Sequence, residues 1–381
     1  MRSFLGHLLS FLILPAVLLA AGEAVLLGSG ELWSSERVLT YLRRHPDAIY
    51  LRATDQSFYA YKYHGILDKD PSILVVGSSR TMKFRAPMFG DRSGSFYNAG
   101  GMVNSLRDLH DFSLLLPGPR TPCVLLVGVD LWWFNPRVPP AFDFAAEIAK
   151  DAAASFDAHV IALRWLTRHP GTLGGEAVSI ARRARPDAIG IGARSTGGGF
   201  RPDGSFKSPL APPRSEREWA FVDREVPPIV ERVRNGVANF PPADGLAADR
   251  LALLDLVLTR YRQKHVFVIG YLPPFSSEVL AQLETDGRHS RLWSAFKRRM
   301  PEMFAAHGFP LIDASDAASI GMDDRALSDG FHGEETFQVH VLKALLRDER
   351  IRAVLPGADA ALDRALASPR TNYWVPDLGS S

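Results

Sequence analysis

The stretch SILVVGSSR, Ser72 to Arg80, decides how this chain is read. Ile73 to Val76 is an unbroken run of aliphatic side chains, the signature of a short strand buried on both faces. Gly77 ends the run, and two hydroxyl side chains follow at once. Three other runs repeat the signature: Cys123 to Val129, His265 to Tyr271 halted at Pro273-Pro274, and Phe309 to Asp313. Ser93 to Asn98, closing on Gly100-Gly101, is a shorter strand candidate. Apolar residues at helical spacing lie between these runs, at Ser105 to Leu116, Leu246 to Gln263 and Glu334 to Arg347. Strands alternating with helices predict an α/β fold: a mainly parallel sheet in a three-layer α/β/α arrangement.

Working outward, the sheet pattern is interrupted at about 136–248. This insertion reads as largely helical, with a helical segment at Ala145 to Leu166 and a loop at Gly190 to Pro213. Gly197-Gly198-Gly199 follows no strong strand and precedes no Gly-Lys-Ser/Thr, so it is not a phosphate cradle. Pro202-Asp203-Gly204 is a turn signal. The insertion is expected to overhang the sheet edge as a lid. Domain boundaries follow: 1–28 as signal anchor or signal peptide, 29–69 as a helical stalk or packing arm, 70–355 as the sheet domain with its insertion, and 356–381 as a peripheral tail.

The totals suit this plan. Of 381 residues, 46% are hydrophobic and 23% charged, which fits a folded globule. Lys and Arg number 44 against 42 Asp and Glu, a net charge of +2, and this is not the basic footprint of a nucleic-acid binder. Cys123 is the one cysteine, so no internal disulfide and no Cys-based metal site is available. Its apolar run predicts a buried small hydrophobe. No His/Asp/Glu cluster has metal-ligand spacing, and no cofactor is expected.

The amino terminus adds a membrane expectation. Phe4 to Leu27 is mostly apolar behind the single charge of Arg2, and its uninterrupted part runs from Phe11 to Ala21. That core has the length of a signal-peptide h-region, while the whole segment is long enough to span. A single-pass anchor is favoured over cleavage near Ala20, Ala21, Gly22 and Ala24, with a buried helix as the plain alternative. Arg2 on the cytoplasmic side leaves the rest outside.

Chemistry collects at the carboxyl ends of the predicted strands. A serine at a strand-to-helix turn projects at the edge where open α/β folds place their sites, and its own N–H is poised to donate to an oxyanion. Serine is equally a common helix N-cap. Asp329-Gly330-Phe331-His332 comes after the last predicted strand. Three-residue spacing lets the carboxylate orient the imidazole, which can then act as general base on a serine. The plain alternative is an Asp-Gly turn before a helix. Arg80 sits near a helix start, where a positive charge is disfavoured. It therefore predicts either a nearby carboxylate partner or an anionic substrate. Trp132-Trp133-Phe134 follows a strand and reads either as a sugar-facing platform or as core packing. His110 and Asp111 read as surface residues.

These residues resemble an SGNH (GDSL-like) hydrolase over roughly Ser72 to Leu346. The resemblance implies a flavodoxin-like sheet, with Ser79 as nucleophile and Ser78 where the family usually has Asp. Asn98-Ala99-Gly100-Gly101 matches the second block and implies the Gly100 N–H in the oxyanion hole, beside that of Ser79. Asp329 and His332 match the last block. The third block departs: Gly128-Val129-Asp130-Leu131 has Asp130 where the family has Asn, and an ionised Asp accepts but does not donate. Asn135 is the nearby substitute. The membrane segment and the Gly-Ser-Ser turn resemble the branch of alginate O-acetylation proteins and DltD, which implies a membrane-bound O-acyltransferase as partner.

The resulting expectation is an extracytoplasmic serine esterase or O-acyltransferase acting on acyl groups, acetyl above all, of an envelope or exopolysaccharide glycan. Ser79, Asp329 and His332 would be catalytic, and Arg80, Asp130, Trp132 and Trp133 would bind substrate. The alternative is a catalytically impaired binding or assembly subunit of a polysaccharide acylation or secretion complex, motivated by Asp130.

Overall fold

The computed structural model describes residues 2–54, 58–116, 122–139, 144–149, 156–181, 186–209 and 226–367. The chain divides into two compact units. The larger is Gly65–Ala146, Asp203–Ser205 and Ala211–Ser381; the smaller is Met1–His64, Glu147–Pro202 and Phe206–Leu210. The strands among the described residues are β1 (Ile49–Tyr50), β2 (Ile73–Gly77), β3 (Phe96–Gly100), β4 (Val124–Gly128), β5 (Ala188–Ile189), β6 (Gly199–Phe200), β7 (Phe206–Lys207), β8 (Phe267–Leu272) and β9 (Leu311–Asp313).

The larger unit is α/β. Its sheet has the order β3-β2-β4-β8-β9, and every pairing is parallel. All five predicted strands are present. Ile73, Leu74, Val75 and Val76 pair with Val124 to Val127 on one side and with Phe96 to Ala99 on the other. Both faces of these strands are buried, which is why they read as continuous apolar runs. Ile73, Val75, Val124, Leu126, Ile269 and Tyr271 join a core with Phe337, Val341 and Leu342 of helix Glu335–Leu345. On the other face Gly270 leaves room for Phe304, whose ring would lie 2.6 Å from any Cβ placed there. Chain order and sheet order diverge at β2: β3 lies on one side of it and β4 on the other. That divergence opens a crevice at the carboxyl ends of β2 and β4.

Three expectations need correction in this unit. Cys123 precedes β4 rather than lying within it, and it is exposed. The strand begins one residue later, so the apolar run overstated it. Of the tail expected to be peripheral from Pro356, one part forms helix Ala358–Ala367, whose Ala358, Leu362 and Ala365 join the main core, while residues 368–381 lie outside the described ones. Small residues at helical spacing give a weak apolar signal but pack closely. The end of the expected insertion also belongs here. Helix Val226–Asn235 buries Ile229, Val230 and Val233 and packs on helix Ser277–Thr285.

The smaller unit combines the amino-terminal helix Arg2–Ser29, the expected arm, and most of the insertion. It holds a small sheet of order β5-β1-β6-β7. The predicted helix at Ala145 to Leu166 is two helices, Phe144–Ala149 and Phe156–Arg168; residues 150–155 lie outside the described ones. Helices Phe156–Arg168 and Pro170–Ala181 pack along helix Arg2–Ser29, where Leu163 meets Gly22 and Ile180 meets Gly28. The buried Glu31 carboxylate accepts from the N–H groups of Ala53 (2.9 Å), Thr54 (2.9 Å) and Ile191 (2.7 Å), and so ties arm to insertion. Among the described residues no helix is long and apolar enough to cross a membrane. The side chains of residues 2–11, where much of the expected anchor falls, lie outside the described ones. Leu12, Ile13, Val17, Leu18 and Leu19 of the same helix are exposed.

Candidate active site

Backbone geometry at the end of β2 creates the site. Gly77 has φ +146°, a conformation that side chains other than glycine's rarely adopt. A Cβ there would sit 2.7 Å from Thr81 Cγ2 and 3.1 Å from the Gly128 carbonyl oxygen. The chain turns at Gly77 into a short 3-10 turn, Ser79–Thr81. The two serines divide the roles that the sequence left open. Ser78 is the N-cap, its hydroxyl accepting from the Arg80 N–H at 3.3 Å. Ser79 is thereby left free to face outward.

The Ser79 Oγ lies 2.8 Å from His332 Nε2, across 253 residues of chain. His332 Nδ1 lies 2.6 Å from Asp329 Oδ2. The other Asp329 oxygen accepts from the backbone N–H groups of His332 (2.9 Å) and Phe331 (3.2 Å), which holds the carboxylate in place. With Nδ1 donating to Asp329, Nε2 is left to accept from the Ser79 hydroxyl. Burial pushes the Asp329 carboxyl up. The His332 charge and these hydrogen bonds outweigh it and hold the carboxyl at about 2. His332 and Asp329 remain 25% and 29% exposed, so solvent reaches the pair. Ser79, His332 and Asp329 are therefore brought into one hydrogen-bonded series, hydroxyl to imidazole to carboxylate.

The expected oxyanion donors fare differently. No group among the described residues accepts from the Ser79 N–H at the start of its turn. The Gly100 N–H, expected to serve beside it, donates instead to Asn98 Oδ1 at 2.7 Å. Asn98 is locked in that orientation because its amide donates to the carbonyls of Thr81 (2.9 Å) and Phe84 (2.8 Å). The neighbouring N–H groups of Gly101 and Val103 turn inward to the Gly77 carbonyl, at 2.8 and 3.2 Å. Asn135 is also committed elsewhere. Its amide donates to the Pro241 carbonyl at 2.6 Å, and its oxygen accepts from the Arg137 N–H. Both donors are satisfied locally, Gly100 by a side chain two residues away and Asn135 by loop backbone.

The four residues expected to bind substrate are all buried. Arg80 and Asp130 form an ion pair at 2.8 Å with both side chains 0% exposed. Burial pushes the Asp130 carboxyl up against the pull of Arg80, and lowers Arg80 against the pull of Asp130. Arg80 also donates to the carbonyls of Phe331 (3.0 Å) and Pro274. Its guanidinium lies 4.2 Å from the Phe275 ring centroid, 5.0 Å from Phe331 and 5.6 Å from Trp132. The carboxylate partner, not an anionic substrate, explains its place near the turn. Trp132 and Trp133 belong to the buried turn Leu131–Phe134, beneath helices Ala248–Gln263 and Ser290–Ala306, and present no platform to solvent. His110 and Asp111 pair with each other at 2.9 Å, partly exposed.

Several participants escaped the sequence reading. Phe331 packs its ring against His332, with centroids 4.4 Å apart, and offers its carbonyl to Arg80. Lys83 pairs with Glu334 and Arg85 with Glu335, all buried. Their signal was present: like charges beside one motif block and opposite charges beside the other. Among the described residues no group of three or more His, Cys, Asp or Glu is arranged to hold a metal ion. No protein-family model matches the chain, and no curated protein is significantly similar to it.

Proposed function

We propose that the chain is an SGNH-type serine esterase or O-acyltransferase, built on a flavodoxin-like three-layer domain. The observation that carries this reading is the Ser79–His332–Asp329 chain of contacts, at 2.8 and 2.6 Å. Ser79 Oγ attacks the ester carbonyl while His332 Nε2 takes its proton. The tetrahedral oxyanion is held by the Ser79 N–H. The ester C–O bond breaks as His332 returns the proton to the leaving alcohol, and an acyl-serine remains. Attack by water then completes hydrolysis; attack by a sugar hydroxyl completes transfer. The substrate is an O-acylated glycan of the cell envelope, acetyl being the acyl group, and a membrane-bound O-acyltransferase is the partner. The domain works outside the cytoplasm, tethered by the segment Phe4 to Leu27. The exposed Leu12, Ile13 and Val17 to Leu19 support that tether.

A second reading has its own support. The Gly100 and Asn135 donors are both committed elsewhere, which fits a catalytically impaired assembly or binding subunit. Labelling with a fluorophosphonate separates the two. The reagent forms an Oγ–P bond and expels fluoride only where a base activates the serine. Stoichiometric labelling that disappears in Ser79→Ala supports the enzyme. A folded wild type that does not label supports the subunit.

A further inference from the structure

The segment that carries Ser79 and the segment that carries His332 are joined by a ladder of buried charged contacts. Arg80 Nε donates to the Phe331 carbonyl at 3.0 Å. Lys83 Nζ meets Glu334 Oε2 at 3.2 Å, and Arg85 Nη1 meets Glu335 Oε2 at 2.9 Å. The order is the same on both strands of the ladder: 80, 83, 85 against 331, 334, 335. Its rungs adjoin the reacting residues, because Arg80 follows Ser79 directly while Phe331 and Glu334 lie on either side of His332. None of the four paired side chains in the outer rungs exceeds 8% exposure.

Stability alone does not account for such a ladder. Withdrawing charges from water costs several kcal/mol per ion, and well-packed apolar residues often serve stability as well or better. What ion pairs add is direction. A fork of N–H donors on fixed acceptors sets distance and angle, which apolar packing does not. We infer that Arg80 is a positioning residue, and that the Lys83–Glu334 and Arg85–Glu335 pairs work with it to hold His332 in reach of Ser79. Arg80 acts through the Phe331 carbonyl and through the Phe331 ring that backs the imidazole; it touches neither substrate nor the reacting oxygen. Asp130 and the Pro274 carbonyl hold the other end of the guanidinium. This rests on the Ser79–His332 pair being the reactive one.

The test uses full-length protein and two readouts. The first is the second-order rate of fluorophosphonate labelling across pH. The second is the downfield imidazole N–H signal of the His332–Asp329 contact in proton NMR, which needs no turnover. Arg80→Lys keeps the charge but loses the fork. It should slow labelling on the order of 10²-fold, the cost of an ångström-scale misplacement. Glu335→Gln, a milder change, should slow it about tenfold or less, with the pH midpoint retained and the downfield signal broadened. The exchanged pair Lys83→Glu with Glu334→Lys should recover rate lost in either single variant, as coupled partners do. Wild-type labelling rates in folded Arg80→Lys and Glu335→Gln would overturn the inference. If Arg80→Lys does not fold, Glu335→Gln and the exchanged pair decide. If wild type does not label, the enzyme reading fails by itself, and an imidazole signal unchanged in the variants would then reject the ladder's role as well.

Discussion

Two carboxylates stand at the same edge of the sheet and meet opposite fates. Asp329 lies on the loop before helix Glu335–Leu345, partly exposed, with a histidine against it. Asp130 follows β4, fully enclosed, with an arginine against it. Each has a basic partner at hydrogen-bond distance, yet only one pair is able to pass a proton. Imidazole has a second nitrogen to offer Ser79. Guanidinium keeps its protons, and all of its contacts point inward. The difference teaches that burial and partner, not the carboxylate, assign the role: under the proposed function Asp329 orients a base, whereas Asp130 anchors the cation that steadies it.

The sharpest way to break this contrast is to remove the chemistry from one side only. Ser79→Ala and His332→Ala should each lower ester turnover on the order of 10⁶-fold, following the precedent for serine hydrolases of another fold. Neither should greatly alter the denaturant midpoint, since both side chains are partly exposed. Asp329→Asn keeps shape but lets the ring adopt the other tautomer. A loss of about 10⁴ in kcat is expected, with KM little changed. If Asp329→Asn retains nearly full activity, the orienting role assigned to it is wrong.

How far the contrast could be read beforehand depends on what kind of information each part needs. The strand at Ile73 to Val76 and the block at Asp329 to His332 were legible because periodicity and spacing are local. The Ser79–His332 pairing was legible only through the family resemblance, because spacing alone left open which serine of the turn faces outward and which caps it. For Arg80 the sequence left a carboxylate partner and a substrate contact both open, and it did not name Asp130 as that partner. Sequence weighs a charge as exposed unless its partner is known, and that partner lay 50 positions away. Gly100 failed for a finer reason. Whether a backbone N–H is open depends on the rotamer of Asn98, two residues earlier. The helix at Ala358–Ala367 was missed because alanine contributes to packing more than to any hydropathy signal.

The next effect falls on stability rather than on rate. Arg80→Met leaves the Asp130 carboxyl enclosed without its counter-ion and hydrogen-bond donor, a loss of about 3–5 kcal/mol by the general behaviour of broken buried pairs. Urea unfolding would measure it. By contrast, removing Asp111 from its surface contacts with Arg107 and His110 should cost about 1 kcal/mol or less. An Arg80→Met protein as stable as wild type would mean that the pair is not the anchor that its geometry describes.

The smallest effect sharpens the comparison most, because the two carboxylates should differ in sign. Asp329 is held at about 2 in the folded chain, below the value of about 3.9 it takes when unfolded. Its contribution is therefore complete above pH 4 and is lost as pH falls toward 2. It amounts to about 1–2 kcal/mol, allowing for the water that reaches it. Asp130 is displaced the other way by burial. The folded state binds its proton more readily than the unfolded state does, so its share weakens as pH rises above about 4. Urea midpoints at successive pH values test both at once. Against wild type, Asp329→Asn should flatten the loss of stability between pH 4 and 2. Asp130→Asn should leave that acid limb in place and remove a decline on its alkaline side. Identical slopes in the two variants would show that the carboxylates share one environment, and the distinction between the proton-passing pair and the anchoring pair would fall with them.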